Sequence, residues 1–195
     1  MIIAGIDEVG RGCWAGPLVA GAVVLDKPIE GLRDSKKLSK KQREKLAPLI
    51  HEQALAVGIG WVTPEELDVS GITMAVKLAM ERALAQLRTN YSEEREMVSA
   101  VIIDGNINYL PEEPLAEAVI KADDTVPAVS AASIVAKVAR DQYMEQMALA
   151  HPAYGFEKHV GYGTAAHIAA LTEHGVTPLH RLSFAPIRTR IEASV

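Results

Sequence analysis

The chain has a single cysteine, Cys13, so no disulfide framework forms within it, and a reducing compartment such as the cytoplasm is the expected setting. No apolar stretch is long enough to span a bilayer; the longest candidate, 15–25, is broken by two glycines and a proline. The opening MIIAGIDEVGRG has no basic leader ahead of an apolar segment, so no secretory signal is expected. Repeats, low-complexity tracts and linkers are missing too, and 195 residues are most simply one domain with at most a small appendage. There is no EF-hand loop pattern, which argues against a calcium-binding structural protein. Zinc would want cysteine ligands or a histidine pair at i, i+4. Five of the six histidines lie late (His151, His159, His167, His174, His180), and only His167 and His174, seven apart, could share a helix face. Satisfied polar positions or phosphate contacts are the alternatives.

What is present is apolar and acidic in a particular order. The apolar fraction of 49% is ample for a core. Three apolar runs each lead into acids: Ile2 to Ile6 into Asp7 and Glu8, Ala100 to Ile103 into Asp104, and Ala118 to Ile120, after a lysine and an alanine, into Asp123 and Asp124. Short runs of this kind read as buried strands. Carboxylates at such ends, far apart in sequence, can converge at one edge of a sheet. Gathered there they repel and need a counter-ion, and oxygen-only ligands favour magnesium, manganese or calcium over zinc. A carboxylate metal centre is therefore expected. Adjacent acids on a strand face opposite ways. Asp7 and Glu8 act together only if the strand ends there, as Gly10-Arg11-Gly12 suggests.

Net charge is −5, but its distribution is uneven. From Arg33 to Lys45 seven basic residues face two acidic ones. That strip reads either as a phosphate-attracting surface or as a solvated helix face. Two capping boxes stand out. Ser39 with Gln42 opens a basic helix to about His51, and Thr63 with Glu66, proline between them, opens a short helix that Gly71 breaks. A longer helix carries Ile72, Val76, Ala79, Ala83 and Leu87 on one stripe. A polar connection is expected over 90–96, a helix from Val126-Pro127 to His151-Pro152, another over about 164–174, and an irregular stretch over 176–187. Strands joined both by hairpins and by helices predict a mixed α/β sheet covered by helices.

Gly10-Arg11-Gly12 alone is an ordinary glycine turn or a turn whose N–H groups lie open to a phosphate. Tyr154, Phe156 and Tyr162, interleaved with Lys158 and His159, read as a stacking surface or as packing under a loop. Read together, five segments become specific: DEVGRGCWAGPLVAGAVVL, DSKKLSKKQREKL, IDGN, KADDTVPAVSAASIVAKVARD and HVGYGT with HGVTPLHRLSF. In this order and spacing the chain resembles bacterial ribonuclease HII, the type 2 ribonuclease H, from end to end.

The resemblance implies a ribonuclease H-like fold over 1–150 with a small helical extension over 151–195 packed on it. It implies a metal-dependent endonuclease that hydrolyses the RNA strand of RNA–DNA hybrids and cuts at ribonucleotides embedded in duplex DNA, leaving 3′-hydroxyl and 5′-phosphate ends. The family's catalytic and metal-binding acids fall on Asp7, Glu8, Asp104 and Asp123. Its substrate contacts fall on Gly10, Arg11 and Gly12, on Ser35 and Lys36 of the Asp34-Ser35-Lys36 motif, and on the junction-sensing Tyr162. Magnesium or manganese, two ions during catalysis, is the implied cofactor. The family commonly has glycine before its last catalytic aspartate, where this chain has Ala122. Ribonuclease HIII typically has lysine in the glycine turn and an added N-terminal domain; Arg11 and the early Asp7 point away from it. A clamp-binding C-terminal peptide with paired aromatics is not seen in Thr189 to Val195, and a monomer with no obligate protein partner and no membrane association is expected.

Overall fold

The computed structural model describes residues 2–91 and 98–192. Five strands form one sheet: β1 (Ile2–Val9), β2 (Leu18–Val24), β3 (Ala56–Val62), β4 (Val98–Asp104) and β5 (Ala116–Val119), in the order β3-β2-β1-β4-β5. The first three are antiparallel, while β4 runs parallel to β1 and β5 parallel to β4. The mixed sheet is thus as expected. The connection expected over 90–96 lies, from residue 92 on, outside the described residues.

Helix boundaries follow local chemistry. In α1 (Lys40–Gln53) the Ser39 hydroxyl accepts from the Gln42 N–H while the Gln42 side chain accepts from the Ser39 N–H. In α2 (Pro64–Ser70) Thr63 and Glu66 do the same, and Gly71 ends the helix at φ 76°. The long helix α3 (Ile72–Asn90) seals one face of the sheet, packing Val76, Met80 and Leu87 over Ile6, Leu18 and Val62. After the one-turn α4 (Ala122–Thr125), helix α5 (Pro127–Ala150) starts with proline at its first position and covers the other face with α1. A third cluster joins Ala15 and Met144 to Tyr154, Phe156, Leu171 and Ile187, the last three from α6 (Phe156–His159), α7 (Ala165–His174) and α8 (Ala185–Glu192).

Three local expectations differ. The run before Asp123 is not a buried strand: β5 is a half-buried edge strand ending at Val119, and Ile120 is exposed. Lys121 then takes a left-handed conformation at φ 59°, and Asp123 sits on α4. β1 does not stop at Asp7 but pairs through Val9 with Val19, so the alternation of a strand applies to Asp7 and Glu8. The stretch expected to be irregular to Ile187 becomes helical at Ala185.

Candidate metal centre and nucleic-acid interface

Strand register determines which acid faces which layer. Gly5 and Asp7 lie two apart on β1, and Asp7 pairs with Gly21 of β2, so all three share the face under α5. A Cβ on Gly5 would strike the backbone of Ala128 and Val129, and one on Gly21 would strike the carbonyl of Ala132. The two glycines let α5 lie against the sheet backbone, which buries Asp7 beneath it. The parallel register Ile6 to Ile103 then sets Asp104, the last residue of β4, beside Asp7. Asp123 comes from α4; its N–H donates to the Asp104 carboxylate at 3.3 Å, and its carbonyl accepts from the Ser130 hydroxyl at 2.6 Å. Oxygens of Asp7, Asp104 and Asp123 all lie within 4.8 Å of one another. Glu8 is outside this trio. Its carboxylate lies near the Arg11 guanidinium at 3.6 Å, yet close enough to Asp7 and Asp104 for their charges to act on one another.

The trio is strongly repulsive. Burial, with Glu8 and Asp104 nearby, pushes the Asp7 carboxyl up to about 8, although the Ser133 hydroxyl and the Glu8 N–H bond to it. Burial raises Glu8 as well, opposed by Arg11. Burial and then Asp104 and Asp34 raise Asp123, opposed by Lys36. The Lys36 ammonium reaches to 3.6 Å from Asp123 while remaining 78% exposed. Burial alone would lower its pKa, but Asp7, Asp123, Asp34 and Asp104 outweigh that and raise it. A donor set of carboxylate oxygens with too much negative charge fits a hard divalent cation. Among the described residues no other such group of three acids, cysteines or histidines occurs.

The structure separates the remaining candidates. Ser35 is buried, its hydroxyl 2.7 Å from that of Ser133, so Ser35, Ser133 and Asp7 form a hydrogen-bonded line. Much of the basic strip is neutralised internally: Lys37 bonds Asp124 at 2.6 Å, Lys40 bonds Glu145, and Arg43 donates to the carbonyls of Ser35 and Leu38. Asp124 is therefore tied to Lys37 outside the trio. Ala122 is fully buried without a left-handed backbone, so its methyl group is accommodated.

Gly10 sits at φ 89°, where a Cβ would strike the buried Arg140, while a Cβ on Gly12 would meet nothing within 4 Å. Arg140 donates to the carbonyls of Pro17 and Ala15 at the foot of this turn and to that of Val160 beside Tyr162. Trp14 and Ala15 both donate to the Gly161 carbonyl, and Gly163 packs flat on the Trp14 ring. Arg181 reaches the carbonyls of Gly16 and Arg11. The glycine turn and the Tyr162 turn are consequently one assembly, with Tyr162 42% exposed. Sequence reasoning missed Ser130, Ser133, Arg140 and Arg181. Two serines three apart on an otherwise apolar helix face were the available signal for the first pair; the arginines carried none.

Carboxylates gathered where parallel strands β1 and β4 end, under a helix, define a ribonuclease H-like α/β protein, and solved structures agree. Similar over 99% of this chain and 98% of its own is the ribonuclease H2 of Pyrococcus horikoshii, with TM-score 0.78 and 29% identity. The ribonuclease HII of Archaeoglobus fulgidus, solved in complex with PCNA, is similar over 94% of this chain and 95% of its own, with TM-score 0.78 and 28% identity. The family described as Ribonuclease HII matches residues 4–187. The ribonuclease HII of Hyphomonas neptunium is 54% identical, covering 96% of this chain and 95% of its own. The chain belongs to the ribonuclease HII family. It is an endoribonuclease of the ribonuclease H type, cleaving the RNA strand of RNA–DNA hybrids in a metal-dependent reaction. Among the described residues no helix is long and apolar enough to cross a membrane.

Proposed function

We propose that this enzyme also cuts at single ribonucleotides embedded in duplex DNA, leaving a 3′-hydroxyl and a 5′-phosphate. The observation that carries this reading is the locking of the Tyr162 turn onto the Gly10-Arg11-Gly12 turn, directly after the acids on β1. Asp7, Asp104 and Asp123, with Glu8 beside them, would hold divalent metal, magnesium or manganese, with two ions during catalysis. When bound, such ions supply positive charge at the scissile phosphate and lower the pKa of a coordinated water.

The chain's own residues do the rest. Ser133, oriented by Ser35, donates to Asp7 and favours its ionised form. Ser130 fixes the backbone of Asp123 so that its carboxylate meets Asp104. Lys36, between solvent and Asp123, attracts the backbone phosphate and balances the acids. Backbone groups of Gly10, Arg11 and Gly12 read the 2′-hydroxyl, the group by which RNA differs from DNA. Gly12, with nothing packed above it, permits that close approach. The half-exposed Tyr162 ring stacks on the neighbouring deoxyribose, where an added hydroxyl is poorly tolerated. No protein nucleophile is needed, and Cys13 is buried.

Residues 151–195 form an extension on a core of 1–150, the enzyme works as a monomer without an obligate protein partner or membrane, and its location is the cytoplasm. The PCNA complex of the archaeal relative makes a clamp the partner to test first. The deciding experiment is cleavage of a duplex carrying one ribonucleotide, with and without magnesium. A single magnesium-dependent incision at the ribonucleotide is expected; cleavage confined to long hybrids refutes the reading.

A further inference from the structure

Behind the Tyr162 turn lies a group of histidines that the chemistry above does not use. His159, His167 and His180 are all buried, and the rings of His159 and His167 stack with centroids 4.6 Å apart. Their hydrogen bonds determine where each proton sits. The Tyr162 carbonyl can only accept, and it lies 2.9 Å from His167 Nδ1. His167 therefore carries its proton on Nδ1, and a neutral ring leaves Nε2 bare. That bare nitrogen is 3.0 Å from His180 Nε2, which must donate. His180 Nδ1 is then bare in turn, and it accepts the Thr177 N–H at 2.9 Å. The Thr177 hydroxyl, 3.0 Å from the same nitrogen, can donate to it as well, and the Thr177 carbonyl lies farther off at 3.3 Å and accepts the His180 backbone N–H at 3.0 Å. Both ends of the line demand the same tautomers, so its polarity runs from the Thr177 amide through two imidazoles to the Tyr162 carbonyl.

An added proton is poorly placed in this line: on His167 Nε2 it would meet the proton of His180, and on His180 Nδ1 it would meet the Thr177 N–H, with only the Thr177 oxygens beside it to accept. The titratable and charged groups facing the pair oppose it as well. They are His159 and His151 from the segment before the turn and Arg190 from α8, while Arg181, next in the chain, turns its guanidinium to the carbonyls of Gly16 and Arg11. The other walls are the rings of Trp14, Tyr154 and Phe156. Burial first, and the neighbouring histidines and Arg190 after it, hold both histidines below their ordinary values, His180 at about 4.

We propose that His167 is a positioning residue for Tyr162, held in its donor tautomer by His180. The proposal rests on the recognition role given to Tyr162 above. Its signature is selectivity, not hydrolysis: without the His167 donor the turn that presents the ring keeps only the Thr164 N–H, at 2.9 Å, while the acids are untouched.

Two substitutions separate positioning from packing. In His167→Asn the amide nitrogen falls where Nδ1 is and keeps the bond to Tyr162. In His167→Gln it falls where Nε2 is and keeps only the bond towards His180. The measured quantity is the ratio of kcat/KM on a one-ribonucleotide duplex to that on a long hybrid, which cancels effects on the metal centre. His167→Gln should lower the ratio about tenfold at neutral pH, the scale of one lost buried hydrogen bond, while His167→Asn stays within about twofold of the parent. Equal ratios for the two variants overturn the proposal. Independently of any variant, ¹⁵N spectra of the parent at pH 7 should show His167 protonated on Nδ1 and His180 on Nε2; the reverse pattern, or a cationic ring, overturns it too. If the parent never cuts the one-ribonucleotide duplex, the role of Tyr162 fails instead, and the tautomers still decide whether His167 holds the turn.

Discussion

Asp7→Asn should stabilise the metal-free protein while destroying its response to magnesium. The Asp7 carboxyl is pushed from 3.8 to about 8, first by burial and then by Glu8 and Asp104. A rise of about four pK units corresponds to on the order of 5 kcal/mol against ionising it in the folded, metal-free state. Because the folded pKa is the higher one, the folded state holds the proton more tightly than the unfolded chain. Stability from this group is complete below 3.8 and is lost as pH rises towards 8. In between the loss runs at about 1.4 kcal/mol per pH unit. From pH 6.5 to 7.5 that is about 1.4 kcal/mol, or roughly 3–6 °C in Tm for a chain of this size. The window starts at 6.5 because below it the buried histidines titrate in the opposite sense. Asparagine has no proton to lose, so the variant's metal-free Tm should be nearly flat across this window and above the parent's at pH 7.5. Magnesium should raise the parent's Tm, increasingly so towards pH 8 as it competes with fewer protons, and should raise the variant's much less. Melting curves of both proteins in chelator and in magnesium, at pH 6.5, 7.0 and 7.5, measure all of this. A parent whose chelated Tm is level over the window, or a variant no more stable than the parent at pH 7.5, would refute the buried, repelled carboxylate.

Other outcomes follow from the same site. Asp104→Asn should cut single-turnover cleavage by roughly a hundredfold or more, the scale of removing one charge-stabilising group, while binding measured in calcium stays close to the parent's. Tyr162→Ala should slow incision at a single ribonucleotide by about ten- to a hundredfold, Tyr162→Phe by less, and neither should begin cutting all-DNA duplexes. Lys36→Gln should weaken binding to every duplex and lower the slope of log K against log salt by about 0.9, one phosphate contact. Changing Lys40, which is bonded to Glu145, should move that slope less. In acid, His180 is held at about 4 against 6.5 in the unfolded chain, so the folded state binds fewer protons and stability falls as pH drops from 6.5 towards 4. Measured in the Asp7→Asn background, this decline should reach at most about 1.4 kcal/mol per pH unit for each such histidine and be shallower in His180→Gln.

The short-range signals were legible without coordinates. Ser39 with Gln42 and Thr63 with Glu66 name their own helix starts, because the bonds that cap a helix close within four residues. Pro127 opens α5, and Gly71 ends α2, for equally local reasons. The apolar runs before Asp7 and Asp104 announced β1 and β4, and acids at strand ends already implied oxygen ligands for a hard cation. The same rule misread the approach to Asp123. An edge strand need not be buried, and a left-handed Lys121 turns the chain onto α4 before the acid is reached.

What the sequence determined by itself, then, was the set of acids, the mixed α/β layering and, through five ordered motifs, the family. What only the tertiary structure decided was which side chains meet. Which of Asp7 and Glu8 sits closest to Asp104 and Asp123 depends on where β1 stops pairing, and with pairing through Val9 it is Asp7, while Glu8 lies beside Arg11 at the edge of the group. Whether Ser35 contacts solvent or Ser133 depends on a helix 98 residues away. Lys40 reads as free surface charge in the sequence, and the fold sets Glu145 beside it. The histidines are scattered through the tail, yet the chain folds back to bring His180 against His167, 13 positions away. Such contacts carry no periodic or capping signature, because each joins single residues whose separation in the chain is unrelated to their separation in space. They are set by how closely α5 lies on Gly5 and Gly21, by the seat of Gly163 on Trp14, and by buried arginines that bind whichever carbonyls the finished fold presents.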